Sequence, residues 1–184
     1  ETKLATVCVI GTGYVGLPLS QVFARSYRVI SFDVDANKVK ILSERNGDPN
    51  HRFTVDPHQI AEADFIPICV PTPLGKDRQP DMSYMKEAAA TVGRNMKKGA
   101  IVIVESSIYP GATEELIKPI LERESGYECG RDFGLAYSPE RINPGDLEHS
   151  VDTVTKVVAA YDEATLDRVA DLYRHVTPNM YKAS

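Results

Sequence analysis

The chain has 184 residues, of which 42% are hydrophobic, so it can bury one sizeable core, and we expect a single domain over residues 1–184. Its net charge is −5, with 26 acidic and 21 basic residues and no basic stripe, which argues against a nucleic-acid partner. Glycine, proline or a charge interrupts every apolar run before it reaches membrane-spanning length, and no signal-peptide pattern is present, so we expect a soluble, cytoplasmic protein with no membrane partner.

The cysteines and histidines show no metal-ligand spacing. Cys8, Cys69 and Cys129 are odd in number and form no Cys-x-x-Cys pair, which fits a reduced cytosol and predicts neither a disulfide framework nor a zinc site. The four histidines are scattered, and we interpret all of them as solvated surface residues: His51, His58, His149 and His175. No metal site is predicted.

Short β-branched runs alternate along the chain with longer stretches of helical spacing. The predicted strands are Leu4–Ile10, Arg28–Asp33, Phe65–Val70, Ala100–Glu105, Phe133–Ser138 and Thr153–Ala159, and a short additional strand fits Arg52–Val55. One predicted helix begins at the glycine pattern after the first strand and runs through Ala24. The others cover Tyr84–Met96, Gly111–Leu121 and Thr165–Val176. This alternation predicts an α/β fold of Rossmann type, a mostly parallel sheet with helices on both faces.

The first predicted strand leads directly into the pattern Gly11-Thr12-Gly13-Tyr14-Val15-Gly16, at the start of a helix. In a dinucleotide-binding loop the first glycine allows the tight turn, the second lets a pyrophosphate approach the backbone, and the third lets the helix pack closely on the strand. The positive end of the helix dipole favours an anion there. Standing alone, such a pattern also fits a purely structural turn.

Asp33 closes the second strand about 20 residues after the middle glycine, where this fingerprint expects an acid for the ribose hydroxyls. Its charge would repel a 2′-phosphate, so NAD is preferred over NADP as the cofactor. The alternative is an acid that caps a turn, and this is the role that we predict for Asp35 at the start of the next helix. Lys38 fits either a position near the adenosine or a solvated surface.

Polar residues follow three further predicted strands, at residues 70–73, 105–111 and 137–145. The carboxyl ends of parallel strands are where ligands bind in this class of fold, so the recurrence predicts a cofactor and substrate crevice along one edge of the sheet. Pro71 and Pro73 should hold Thr72 in a rigid turn with its hydroxyl presented to the crevice, although a plain turn explains this segment equally well.

Four ordered segments together resemble the nucleotide-sugar 6-dehydrogenases, the UDP-glucose and GDP-mannose dehydrogenase family, and especially the branch that oxidises UDP-N-acetylhexosamines. The segments are Gly11–Leu17 with Pro18, Val70–Leu74 with Pro80-Asp81, Glu105–Thr113 with Glu114, and Ser138–Asp146. The resemblance implies an NAD-dependent, two-step oxidation of a sugar C6 alcohol to a carboxylate, with two NAD molecules reduced per product and a nucleotide sugar as the substrate.

The resemblance also implies roles for individual residues. Ser107 stands where the family has a threonine whose hydroxyl works near the nicotinamide and a water, and Glu140 resembles the glutamate that positions or deprotonates the water that hydrolyses a thioester. Arg141 and Ile142 resemble residues of the substrate pocket, although on the residues alone Glu140 and Arg141 also fit an exposed salt-bridging turn. The implied cofactor contacts are Gly11, Gly13, Tyr14, Val15, Gly16, Asp33, Lys38, Val70, Pro71, Thr72 and Ser107.

The chain departs from the family pattern in several places. Ala112 replaces a usual threonine, the stretch between Asn46 and Phe53 is shorter than usual, and the family's downstream nucleophilic cysteine and catalytic lysine are absent. We therefore expect this chain alone to bind NAD as a monomer without turning over substrate, and the full-length enzyme to be a homo-oligomer. The alternatives are a 6-phosphogluconate-type hydroxy-acid dehydrogenase domain and a non-catalytic NAD-sensing module.

Overall fold

A computed structural model describes residues 4–75, 78–139, 155–177 and 179–183. The strands are β1 (Thr6–Ile10), β2 (Arg28–Phe32), β3 (His51–Thr54), β4 (Phe65–Ile68), β5 (Ile101–Val104), β6 (Gly134–Tyr137), β7 (Lys156–Ala160) and β8 (Met180–Lys182). The helices are α1 (Gly16–Ala24), α2 (Ala36–Arg45), α3 (Ser83–Asn95), α4 (Lys118–Ser125) and α5 (Glu163–Arg174). A 3₁₀ segment covers Pro57–Glu62, and a π-helical turn at Thr113–Ile117 leads into α4. None of these helices is long and apolar enough to cross a bilayer.

The strands form one sheet in the order β3-β2-β1-β4-β5-β6-β7-β8. Neighbours are parallel from β3 through β6, β7 runs antiparallel to β6, and β8 runs parallel to β7. The chain order reverses between β1 and β4, and at such a switch point the connections leave toward opposite sides of the sheet and open a crevice at the carboxyl ends of the strands.

Alternate residues of the central strands point into two separate apolar layers. In β1, Cys8 and Ile10 pack with α3, α4 and the 3₁₀ segment, whereas Val7 and Val9 pack with α1 and α5. The three central strands β1, β4 and β5 are buried along their whole length. Helices therefore cover both faces of the sheet, as the sequence predicted.

Every predicted strand and helix has a counterpart in the described residues, and the Rossmann-type α/β class is confirmed. The structure also contains β8, which the sequence pattern did not predict, and the strand predicted at Thr153–Ala159 is described from Lys156. The helix predicted at Gly111–Leu121 is instead a π turn followed by α4, which extends to Ser125. Pro119 lacks the N–H that a regular helix would direct at the carbonyl four residues earlier, which accounts for the irregular entry.

The interpretation of all four histidines as surface residues was wrong for His51. This residue begins β3, is 4% exposed, and its Nε2 lies 2.8 Å from the Ser31 hydroxyl. Its ring lies 4.3 Å from the ring of Phe53, centroid to centroid, and burial lowers the pKa of the imidazole. His58 and His175 are exposed as expected, and His149 lies outside the described residues.

Candidate functional site

The carboxyl ends of β1, β2, β4 and β5 surround a cleft of about 770 Å³, which lies in the size range of small-molecule and cofactor sites. The glycine loop after β1, Asp33 after β2, and the segments after β4 and β5 form its walls, and one face of α3 closes it. The predicted crevice is therefore present at the predicted edge of the sheet.

Gly11 and Gly16 are both required by the tightness of the loop. Gly11 has φ of +95°, and a Cβ there would lie 2.9 Å from the Cys69 carbonyl oxygen. A Cβ on Gly16 would lie 1.9 Å from the carbonyl oxygen of Gly11, so any side chain would force the loop off the start of α1. The tight turn predicted at Gly11 is confirmed, and the close packing at Gly16 is against the Gly11 carbonyl that follows β1.

Gly13 differs, because a Cβ built on it would meet nothing within 4 Å. It is exposed and lines the cleft, so the missing side chain leaves room for a ligand rather than for another part of the protein. The Leu17 amide donates to the Gly13 carbonyl at 3.0 Å, and the amides at the beginning of a helix have no intrahelical acceptor. Open space, helix-start amides and the helix dipole together form a suitable cradle for a phosphate.

Asp33 is 9% exposed and is held by four protein donors. Its Oδ2 accepts from the Thr12 amide at 2.9 Å, from the Thr12 hydroxyl at 2.6 Å and from Lys38 Nζ at 3.1 Å, and its Oδ1 accepts from the Asp35 amide at 3.0 Å. Burial alone would raise the pKa of Asp33, but the hydrogen bonds, first among them that from the Thr12 hydroxyl, outweigh it and lower the pKa. The carboxylate is therefore ionised and fixed in position, and the Thr12 amide is committed to it rather than to a phosphate.

The neighbouring acid, Asp35, has the capping role that the sequence predicted. Its Oδ1 accepts from the amides of Asn37 and Lys38, both at 3.0 Å, at the N-terminus of α2. This cap places Lys38 on the first turn of the helix, where its ammonium pairs with Asp33. Lys38 lines the cleft with its side chain 41% exposed, and its predicted position near the adenosine stays a prediction.

On the opposite wall, hydroxyl groups join the segments after β4 and β5. Thr72 Oγ1 donates to the Ser107 carbonyl at 2.7 Å, and Ser106 Oγ donates to the Val70 carbonyl at 2.5 Å. The Thr72 proton is thus used within the protein, and its oxygen lines the cleft as an acceptor. Ser107 is exposed at the same wall.

The structure brings the predicted cofactor residues together. All of them line the one cleft except Gly16, which lies beneath the loop: Gly11, Gly13, Tyr14, Val15, Asp33, Lys38, Val70, Pro71, Thr72 and Ser107. Glu140, Arg141 and Ile142 lie outside the described residues, so their predicted roles stay predictions. Across the described ranges, no three His, Cys, Asp or Glu side chains come together as a metal site.

Sequence reasoning missed two parts of the site. Tyr84, Glu87, Ala88 and Thr91 of α3 line the cleft, and their spacing of three or four residues marks one helix face that the pattern contained. The second part is a buried ion pair. Glu105, directly after β5, contacts Lys156 Nζ through its Oε2. No local signal joins these two residues, because they are 51 positions apart.

Comparison with known proteins agrees with this geometry. A family model described as the UDP-glucose/GDP-mannose dehydrogenase family, NAD binding domain, matches residues 5–48 and 40–177. Protein CapL of Staphylococcus aureus is 41% identical over 97% of this chain, and the UDP-N-acetyl-D-glucosamine 6-dehydrogenase of Salmonella typhi is 39% identical over all of it. The chain spans 45% of the length of each of these relatives.

A solved structure also resembles this chain over the whole length of the chain. The NDP-N-acetyl-D-galactosaminuronic acid dehydrogenase of Methanosarcina mazei Go1 superimposes with a TM-score of 0.90 and 30% identity, covering 100% of this chain and 45% of that protein.

Proposed function

Because this chain belongs to the UDP-glucose/GDP-mannose dehydrogenase family, in the part that the family model describes as its NAD binding domain, we propose that residues 1–184 form the cofactor domain of a nucleotide-sugar 6-dehydrogenase. The enzyme oxidises the C6 hydroxyl of a UDP-sugar, a UDP-N-acetylhexosamine or UDP-glucose, to the carboxylate in two NAD-dependent steps. The name of the Salmonella typhi relative supports the UDP-N-acetylhexosamine branch.

The observation that carries this proposal is the joint placement of the open loop at Gly13 and the fixed carboxylate of Asp33 in one cleft. Asp33 accepts hydrogen bonds from the ribose hydroxyls of the adenosine, and its negative charge disfavours a 2′-phosphate. The amides at the start of α1 receive the pyrophosphate. Since the adenosine end lies at β2, the nicotinamide end lies toward β4 and β5, where Ser107 is exposed.

When bound, NAD supplies the oxidising nicotinamide ring, and the protein supplies the groups around the reacting alcohol. Ser107 places its hydroxyl at the nicotinamide end of the cleft. In the sequence, Glu140 comes soon after β6, which is the neighbour of β5 in the sheet. We assign to Glu140 the role of positioning or deprotonating the water that completes the second step. Arg141 and Ile142 contact the nucleotide sugar.

We propose that the complete enzyme is a cytoplasmic homo-oligomer and that residues 1–184 alone are monomeric. Downstream residues then supply the nucleophilic cysteine, so the domain alone forms no uronate.

Isothermal titration of this chain with NAD⁺ and NADP⁺ tests cofactor binding. We expect NAD⁺ to bind and NADP⁺ to bind at least tenfold more weakly. Asp33→Asn should weaken NAD⁺ binding about tenfold, since a hydrogen bond to a charged group contributes about 1.5–3 kcal/mol. Asp35→Asn is the matched control, because asparagine also caps a helix, and it should bind like the parent.

The outcome that rejects the proposal is a folded parent chain that binds no NAD⁺ at millimolar concentration. The reaction is tested on the complete gene product, supplied with UDP-N-acetylglucosamine or UDP-N-acetylmannosamine and excess NAD⁺. We expect two NADH per uronate. Binding of NAD⁺ without oxidation of any UDP-sugar by the complete product would favour the non-catalytic NAD-sensing module.

A further inference from the structure

The Glu105–Lys156 pair is a buried pair of opposite charges beside the proposed nicotinamide end of the cleft. The Glu105 side chain is fully buried and that of Lys156 is 7% exposed. Besides the carboxylate, Lys156 Nζ contacts the Ser138 carbonyl at 3.3 Å and lies 5.2 Å from the centre of the Tyr173 ring. Burial of both charges is costly unless they compensate each other.

The position of this pair follows from the direction of the strands. Glu105 comes directly after β5 and is one of the residues that surround the cleft, together with Ser106 and Ser107. Lys156 begins β7, and because β7 runs antiparallel to β6, its first residue lies at the carboxyl edge of the parallel strands. Lys156 is outside the set of cleft residues, so the carboxylate is the member nearer to the ligand.

Oxidised and reduced nicotinamide differ by one positive charge on the ring. A buried carboxylate nearby stabilises the oxidised ring, and a buried ammonium destabilises it, with an effect that a low-dielectric site strengthens. The net preference between the two forms then depends on how closely the two protein charges balance.

We propose that the charge balance of the Glu105–Lys156 pair sets the relative affinity of this cleft for NAD⁺ and NADH. This inference rests on the proposed function, because it requires the nicotinamide to lie toward β5. The carboxylate favours entry of NAD⁺, and the lysine limits that preference. Two oxidations per product require NADH to be exchanged for a second NAD⁺, and an unbalanced ammonium would retain the reduced form.

The test is the ratio of the dissociation constants for NADH and NAD⁺, measured on this chain by titration at pH 6.5 and pH 8.5. Low pH favours the charged form of the Lys156 ammonium when Glu105 is neutralised, and high pH favours the charged form of the Glu105 carboxylate when Lys156 is neutralised. Glu105→Gln should favour NADH and lower the ratio Kd(NADH)/Kd(NAD⁺) about fivefold at pH 6.5. Lys156→Met should favour NAD⁺ and raise this ratio about fivefold at pH 8.5. The neutral double variant, Glu105→Gln with Lys156→Met, should lie between the two single variants.

Lys97→Met is the matched control, because Lys97 pairs with Asp64 at 2.7 Å before the opposite, amino end of β4. It removes the same charge away from the cleft and should leave the ratio unchanged. If both single variants instead weaken NAD⁺ and NADH by equal factors at both pH values, the pair is only structural and the inference is wrong.

A charge exchange keeps the inference testable if the single variants do not fold. Glu105→Lys with Lys156→Glu retains a buried pair but places the ammonium nearer to the cleft. The ratio Kd(NADH)/Kd(NAD⁺) should therefore fall. An unchanged ratio in a folded exchange variant would reject the inference alone, whereas a parent chain that binds neither cofactor form would reject the proposed function itself.

Discussion

Gly13 and Gly16 belong to the same glycine pattern, but a methyl group added at the two positions would meet very different surroundings. At Gly13 it would enter open space in the cleft, and at Gly16 it would overlap the Gly11 carbonyl oxygen at 1.9 Å. The first glycine therefore serves a ligand, and the second serves the fold.

Alanine substitutions should separate these two roles. Gly13→Ala should retain the parent's urea unfolding midpoint but bind NAD⁺ at least tenfold more weakly, because the methyl group occupies the approach of the pyrophosphate. Gly16→Ala should lose about 1–3 kcal/mol of unfolding free energy, as overpacking of a tight contact does. Urea denaturation followed by circular dichroism, with NAD⁺ titration of the folded variants, measures both. A Gly13→Ala variant with parental NAD⁺ affinity would contradict the phosphate cradle.

The residues of the site were predictable where a role depends on backbone geometry or on position along the chain. The glycine loop and Asp33 met both conditions, because a tight turn demands glycine and the distance from loop to acid is fixed by one helix and one strand. The donation from Thr12 to Asp33 was not predictable, since it depends on how the loop folds over the end of β2. The same holds for Lys156, whose partner lies on a distant strand.

Helix α5 packs on β6 and β7, and Asp162 caps its N-terminus. Asp162 Oδ1 accepts from the Thr165 amide at 2.8 Å, and Oδ2 accepts from the Thr165 hydroxyl at 2.9 Å. Thr165 itself is 6% exposed against β6, so the cap also orders the packing of the helix on the sheet.

Removing this cap should destabilise the domain measurably. Asp162→Ala should lower the free energy of unfolding by about 1 kcal/mol, the usual contribution of an N-cap side chain. Asp162→Asn retains a capping oxygen without the charge and should stay within about 0.5 kcal/mol of the parent. Urea unfolding of the three proteins compares them. Equal losses in both variants would show that the charge of Asp162, rather than its cap, is what matters.

At the scale of elements, strands with a continuous apolar pattern were recognisable from the sequence. The direction in which a strand runs in the sheet was not. β5 is Ile-Val-Ile-Val and buried throughout, so its identity follows from composition alone. β8 has three residues, of which Tyr181 is 63% exposed, so no apolar run marks it. The antiparallel direction of β7 relative to β6 leaves no mark in the apolar pattern of either strand.

The molecule as a whole separates stability from ligand binding. Its two apolar layers lie above and below the sheet, while the cleft lies at the edge where the strands end and loops begin. Loops at such an edge can vary without loss of the layers, which is why one fold carries many sites. A ligand in this cleft contacts segments that follow four different strands, so its binding energy should stabilise the folded state as a unit.

This coupling predicts a thermal shift on cofactor binding. At an NAD⁺ concentration about 100 times the dissociation constant, binding adds about 2.7 kcal/mol to the free energy of unfolding. For a domain of this size, each kcal/mol raises the midpoint by about 2–4 °C, so the expected increase is roughly 5–10 °C. Differential scanning fluorimetry measures it, with Gly13→Ala as the control, because that variant should keep the parental midpoint without ligand and gain little from the same NAD⁺ concentration. An equal increase in Gly13→Ala would mean that NAD⁺ stabilises the protein from somewhere other than the glycine loop.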